Sequence, residues 1–209
     1  MINLVIFGAG GLGREIYDTL MFVNAQALTF NVVGYIDDTR EPGSVVNGVP
    51  VLGGSSVLAK MHGKVEIILG ISAPEVRKEL HLRYKKEFLF PNVIHPTAIV
   101  SPFAKLGEAI LIQSNCIVAA NAKIGDGVVV NAHSGVGHDA QVGDYCSVMS
   151  FCDLAGNTHL GELSFVGTGV KVVPLTSIAA ESYLCAGAVV FKDVVVKSKL
   201  LGNPAKIIG

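Results

Sequence analysis

The chain has 209 residues, half of them apolar, and its 16 basic and 17 acidic side chains give a net charge of −1. That composition supports one ordinary core or two small ones, and the balanced charge argues against nucleic acid or an anionic membrane surface as a partner. No run approaches the ~20 apolar residues that cross a bilayer, and Cys116, Cys146, Cys152 and Cys185 show no CxxC spacing of the kind found in zinc knuckles.

The opening MINLVIFGAGGLGRE lacks the basic start and long apolar core of a signal peptide, so a reducing cytoplasm is the expected compartment. INLVIF, GREIYDTLMFV, NVVGYID, SSVLAKM, VEIILG and APEVRKELHLRY then alternate strand-like and helix-like patterns. This predicts an α/β domain over residues 1–91, with a parallel sheet flanked by helices. His62 and His81 fall in its helical segments and are expected to be solvated. Between the first strand and helix, Gly8-Ala9-Gly10-Gly11-Leu12-Gly13 fits G-x-G-x-x-G, whose amides can cradle phosphate at a helix N-terminus. An NAD-dependent oxidoreductase would use the same turn, with Asp37 on the ribose. A domain of about ninety residues, however, is close to one mononucleotide-binding half, with no second half for nicotinamide. A loop that needs glycine only for its turn is the plain alternative.

Pro91 marks a break, and residues 92–209 follow a different period. Read in sixes from Ile94, the first position is aliphatic seventeen times in one register, from Ile94 and Val100 through Leu184 and Val190. The fifth position is mostly small and includes Cys116, Cys146 and Cys152, which read as interior residues rather than redox groups. Such a period predicts a β-helix of hexapeptide repeats, three short strands to a coil, with each residue stacked on those eighteen before and after it. Its flat outer faces favour self-association.

This array, with the closing GNPAK at residues 202–206, resembles the left-handed β-helix acyltransferases. With FGAGGLGRE and GYIDD at residues 34–38 it resembles, over essentially the whole chain, the bacterial sugar acetyltransferases. These include sialic acid O-acetyltransferases and N-acetyltransferases of nucleotide-linked 4-amino-4,6-dideoxy sugars. The resemblance implies a trimer with active sites between subunits, acetyl-CoA as cosubstrate and no metal. It implies that Gly10, Gly11, Leu12, Asp37, Asp38 and Gly70 bind the nucleotide-linked sugar. Some members carry Ser and His where this chain has Gly10 and Leu12.

His138 is the third residue of its six and is followed by Asp139; Ala120 and Gly156 stack on it from the adjacent coils. A histidine between side chains this small opens to a groove, and glycine admits close approach to its amide. Acetyl transfer from a thioester needs a base for the attacking amine or hydroxyl and a donor for the developing oxyanion. His138 fits the first role, Asp139 could orient it, and the Gly156 amide fits the second. Adjacent strand residues point to opposite faces, so the pairing of His138 with Asp139 requires a corner or a partner subunit. The resemblance likewise places the catalytic histidine on His138 and coenzyme contacts on Ser147, Gly156, Thr168 and Ala186; some members have a second histidine at Ser147.

Three other readings compete. His133 and His138 reproduce the five-residue histidine spacing of γ-class carbonic anhydrases, but Asn115 and Thr97, which precede His133 in its column, are not ordinary zinc ligands, and His95 and His159 occupy other positions of the six. A purely structural solenoid is disfavoured by the nucleotide-type domain. O-acetylation of a sugar such as sialic acid differs from N-acetylation only in the nucleophile.

Overall fold

A computed structural model describes residues 1–208, and their contacts divide the chain into two compact units, Met1–Pro96 and Thr97–Gly209. Among the described residues no helix is long and apolar enough to cross a membrane.

The first unit is a five-stranded sheet in the order β3-β4-β2-β1-β5, formed by β1 (Ile2–Phe7), β2 (Phe30–Ile36), β3 (Val45–Val46), β4 (Val49–Gly53) and β5 (Glu66–Leu69). β1 lies parallel between β2 and β5, and Leu4, Val5 and Ile6 on it are fully buried, as expected of a central strand covered on both sides. Helix α1 (Gly11–Gln26) buries Gly13, Ile16, Thr19 and Leu20, which recur at helical spacing. Helix α2 (Pro74–Tyr84) starts with Pro74 in its first turn, where a missing amide hydrogen costs nothing, and carries His81 and Arg83 in its last.

Several expectations for this unit change. SSVLAKM forms a 3-10 helix at Ser55–Lys60, not an α-helix, and His62 lies in the turn beyond it. Ahead of it stands an antiparallel hairpin, β3 and β4, turned by Asn47 (φ 48°) and Gly48 (φ 80°), an Asn-Gly turn that the alternating pattern concealed. His62 is exposed, but His81 is completely buried, with its ring edge-on to Phe90 at 4.6 Å.

In the second unit the strands from Ile99–Val100 to Val189–Val190 pair in parallel with an eighteen-residue register, as in Ile99, Ile117 and Gly135, so three strands make one coil. One face carries Leu111–Ile112, Val129–Val130, Ser147–Val148, Phe165–Val166 and Tyr183–Leu184. The second carries Ile99–Val100, Ile117–Val118, Gly135–Val136, Asp153–Leu154, Lys171–Val172 and Val189–Val190. The third carries Lys105–Leu106, Lys123–Ile124, Gln141–Val142, His159–Leu160 and Ser177–Ile178. The aliphatic first positions from Ile112 to Val190 are buried. The fifth position is also interior from Ile110 to Ala188, and four of its polar members share a task. Cys116, Cys146 and Cys152 each donate to a carbonyl fifteen residues on, at 3.1 Å, and Ser134 does the same to Met149 at 2.8 Å.

The fourth position makes the corners. From Ala109 to Gly187 every sixth residue has φ between 56° and 76°, including Asn115, Asn121, His133, Asp139, Tyr145, Phe151 and Asn157. None is β-branched, as the left-handed region demands. The sixes shorten at the end of the chain. Tyr183 pairs with Lys199, and Val194 bridges Ile178, so Val194 takes a first-position place rather than the fifth-position place that continuous counting gives it. Lys206–Ile207 folds back antiparallel on Lys199–Leu201 and closes that edge.

Candidate active site

In the first unit the glycine loop is held tightly underneath and left open above. A Cβ on Gly13 would lie 1.9 Å from the Gly8 carbonyl oxygen, and one on Gly70 would lie 2.7 Å from the Gly13 Cα; the loop and the end of β5 therefore touch through bare backbone. Gly10 and Gly11, in contrast, have no atom within 4 Å of a built Cβ. Their missing side chains serve no packing need, and they leave room for a ligand to approach the start of α1.

Asp37 acts on the loop from below. The buried Ala9 donates its amide to Oδ2 at 2.8 Å, and Thr39 donates its amide (2.9 Å) and hydroxyl (2.6 Å) to Oδ1. Burial pushes this carboxyl up, but the Thr39 and Ala9 hydrogen bonds and the Arg40 charge outweigh it and hold the group below its ordinary value. Asp38 is exposed and accepts from the Ser55 amide at 2.7 Å and hydroxyl at 3.0 Å. Leu12 is half-buried on the first turn of α1.

In the second unit His138 and Asp139 sit at the corner after the second face. The left-handed conformation of Asp139 (φ 59°) turns its carboxylate back beside its neighbour, and His138 Nδ1 lies 2.8 Å from Asp139 Oδ2. The corner thus supplies within one chain the pairing that an extended strand forbids. The hydrogen bond to His138 and then that from Asn121 hold the Asp139 carboxyl below its ordinary value. Both members of the pair remain open to solvent, with side chains 65% and 45% exposed.

The imidazole lies across Gly156. A Cβ there would meet His138 Nε2 at 2.5 Å and Cε1 at 2.7 Å, so the ring occupies the space that any other residue would claim. The Asn157 amide donates to the His138 carbonyl at 2.9 Å and ties the two coils together at this point. With Nδ1 turned to Asp139, the other ring nitrogen is the one presented over the glycine.

The remaining expected residues lie apart. Thr168 and Ala186 are exposed on the edge after the first face, whereas His138 and Gly156 lie on the edge after the second; the second face separates the two pairs. Ser147 is fully buried. His133 is on the Thr168 edge, its ring stacked parallel on Phe151 at 4.9 Å, so its five-residue spacing from His138 does not bring the two imidazoles to one corner. Among the described residues no three His, Cys, Asp or Glu side chains are placed to share an ion. Burial raises the Cys116 and Cys152 thiols, which disfavours the thiolate an acyl carrier would need. Three contributors were missed in the sequence: Ala9 and Thr39 around Asp37, and Asn121, whose amide nitrogen donates to Asp139 Oδ1 at 3.2 Å. Only Asn121 had a signal, since it stands eighteen residues before Asp139 in the same column.

Comparison with known proteins gives consistent matches. The PglD N-terminal domain family matches residues 3–84. PerB from Caulobacter crescentus, solved with CoA and GDP-perosamine, is 31% identical, with 99% of this chain and 97% of that one covered and a TM-score of 0.90. The acetyltransferase domain of PglB from Neisseria gonorrhoeae is 28% identical over 100% of both chains, with a TM-score of 0.93. WeeI from Acinetobacter baumannii is 26% identical over 100% of both, with a TM-score of 0.88. Perosamine N-acetyltransferase from C. crescentus has also been solved with CoA and GDP-perosamine after replacement of one histidine by asparagine or alanine.

Proposed function

Because the chain belongs to the hexapeptide-repeat, left-handed β-helix acetyltransferases acting on nucleotide-linked amino sugars, we propose that it acetylates the amine of a GDP-linked 4-amino-4,6-dideoxy sugar, with His138 as general base. The observation that carries this reading is His138 itself, oriented by Asp139 at 2.8 Å and laid over Gly156. GDP as carrier and an amine as nucleophile are supported by the perosamine-bound relatives.

The proposed chemistry uses these groups in sequence. Nδ1–H donates to the Asp139 carboxylate, which leaves the Nε2 lone pair free to accept a proton. The amine lone pair attacks the thioester carbonyl carbon of acetyl-CoA, and the Gly156 amide donates to the oxygen as it gains charge. Nε2 takes the proton released by the amine. Collapse of the tetrahedral intermediate breaks the C–S bond, and the imidazolium returns the proton to the departing coenzyme thiolate. Asp139, already held below its ordinary range, remains ionised to stabilise the transient imidazolium. Gly10, Gly11, Leu12, Asp37, Asp38 and Gly70 are proposed to shape the nucleotide-sugar site, with Asp37 acting mainly through the loop it straps.

The proposed assembly is a homotrimer in the cytoplasm, where acetyl-CoA is supplied. Its support is the separation of the two edges: a Thr168–Ala186 edge from a neighbouring copy could stand beside the His138–Gly156 edge and complete a coenzyme groove. Ser147, being buried, is left with a structural part in this scheme.

Replacement of His138 by Ala is expected to lower turnover ~10²–10⁴-fold, with circular dichroism unchanged. Full activity in that variant would overturn the assignment.

A further inference from the structure

We infer that Asn121 is a positioning residue for the acetyl transfer, acting through Asp139 on His138; this rests on the proposed base role of His138. The carboxylate of Asp139 is divided between two partners. Oδ2 lies 2.8 Å from His138 Nδ1, and Oδ1 accepts from Asn121 Nδ2 at 3.2 Å. Asp139 is 45% exposed, so packing alone does not fix its rotamer, and a second hydrogen bond on the far oxygen restricts the swing that would carry Oδ2 away from the imidazole. Asn121 Nδ2 is a donor only, and an ionised carboxylate, which accepts at both oxygens, can serve it and His138 Nδ1 together.

Position favours this role. Asn121 and Asp139 are consecutive members of one corner column, with φ of 61° and 59°, so the same turn that aims Asp139 back at His138 aims the Asn121 amide along the edge toward Asp139. The column also supplies the competing explanation. Asparagine tolerates the left-handed region better than most residues, and Asn115 and Asn157 occupy equivalent corners. A purely conformational role would be served as well by glycine, which adopts that region freely.

This difference sets the experiment. Asn121→Gly keeps the corner and removes the amide, whereas Asn121→Asp keeps the shape and turns an acceptor toward Asp139. Steady-state kinetics with acetyl-CoA and GDP-perosamine should show kcat lowered roughly tenfold in both variants, with KM for each substrate unchanged. In Asn121→Asp the added negative charge favours the imidazolium, so the acidic limb of the kcat/KM profile should move to higher pH. In an Asp139→Asn background, Asn121→Gly should cost nothing further, because its route to His138 has already been cut. Wild-type kcat in Asn121→Gly, or an equal loss in both backgrounds, would overturn the inference. Failure of the base reading is read separately, from full activity in His138→Ala.

Discussion

The space a side chain at Gly156 would need is occupied by the His138 imidazole, whereas at Gly137, Gly143 and Gly161 it is backbone that stands in the way. Across the corners, the third residue of each six is Glu, Ser, Ala, Asp, His, Thr, Pro, Lys or, at one place only, Gly. That one glycine stands beneath the one histidine in the column. In Gly156→Ala the new methyl would enter the space of Nε2, and because the imidazole is a solvent-exposed ring at the end of a rotatable side chain, it would swing aside rather than strain the coil. Thermal stability should therefore stay near wild type while kcat falls about tenfold to a hundredfold, as expected for misplacement of a reacting group. A large loss of melting temperature with an unaltered kcat would contradict this picture. Asp37 offers a second lesson at the same scale. Its folded pKa is depressed, so its contribution to stability is present above the ordinary carboxylate range and is lost as pH falls through the folded value.

At the level of elements, the corner is the unit that the sequence expressed in two columns rather than one. The aliphatic first position was plain at every six, and with it the coil, the eighteen-residue stacking and the pairing of His138 with Gly156. The fourth position was less plain, because Ala, Asn, His, Asp, Tyr, Phe, Leu, Glu and Gly share no chemical property; what unites them is the absence of β-branching. Leu175 tests the rule cleanly, since it is highly exposed and has φ of 63°. Leu175→Ile changes only the branching point and is expected to lower unfolding stability by about 1–2 kcal/mol in denaturant titration, whereas Leu175→Gly should cost less. Equal stability of the Ile variant and wild type would refute it. In the first unit, the alternating reading captured β1, α1, β2, β5 and α2 but missed the β3–β4 hairpin, whose strands are too short to show a period. His81 misled for a related reason. A polar residue on an otherwise polar helix reads as solvated, and only the tertiary packing against Phe90 buries it.

For the molecule as a whole, the consequential fact is that a single chain presents its proposed base on one edge of a face and two of the expected coenzyme contacts, Thr168 and Ala186, on the other. If the groove is completed between copies, two inactive variants should rescue each other. His138→Ala and Thr168→Arg chains, each inactive alone, are expected to recover measurable turnover when coexpressed, in assemblies where an intact histidine edge meets an intact Thr168 edge. No recovery in mixed assemblies verified by mass spectrometry would place every catalytic group in one chain. The corner at Asp139 has one more consequence, which concerns inheritance. The proposed base and its orienting acid are encoded by adjacent codons, with the glycine beneath the imidazole one coil downstream. Gain or loss of whole eighteen-residue coils elsewhere would carry this short segment unchanged, while an insertion of any other length within it would slide the glycine out from under the imidazole. The solenoid can therefore lengthen or shorten while the His138–Asp139 corner stays seated on its glycine.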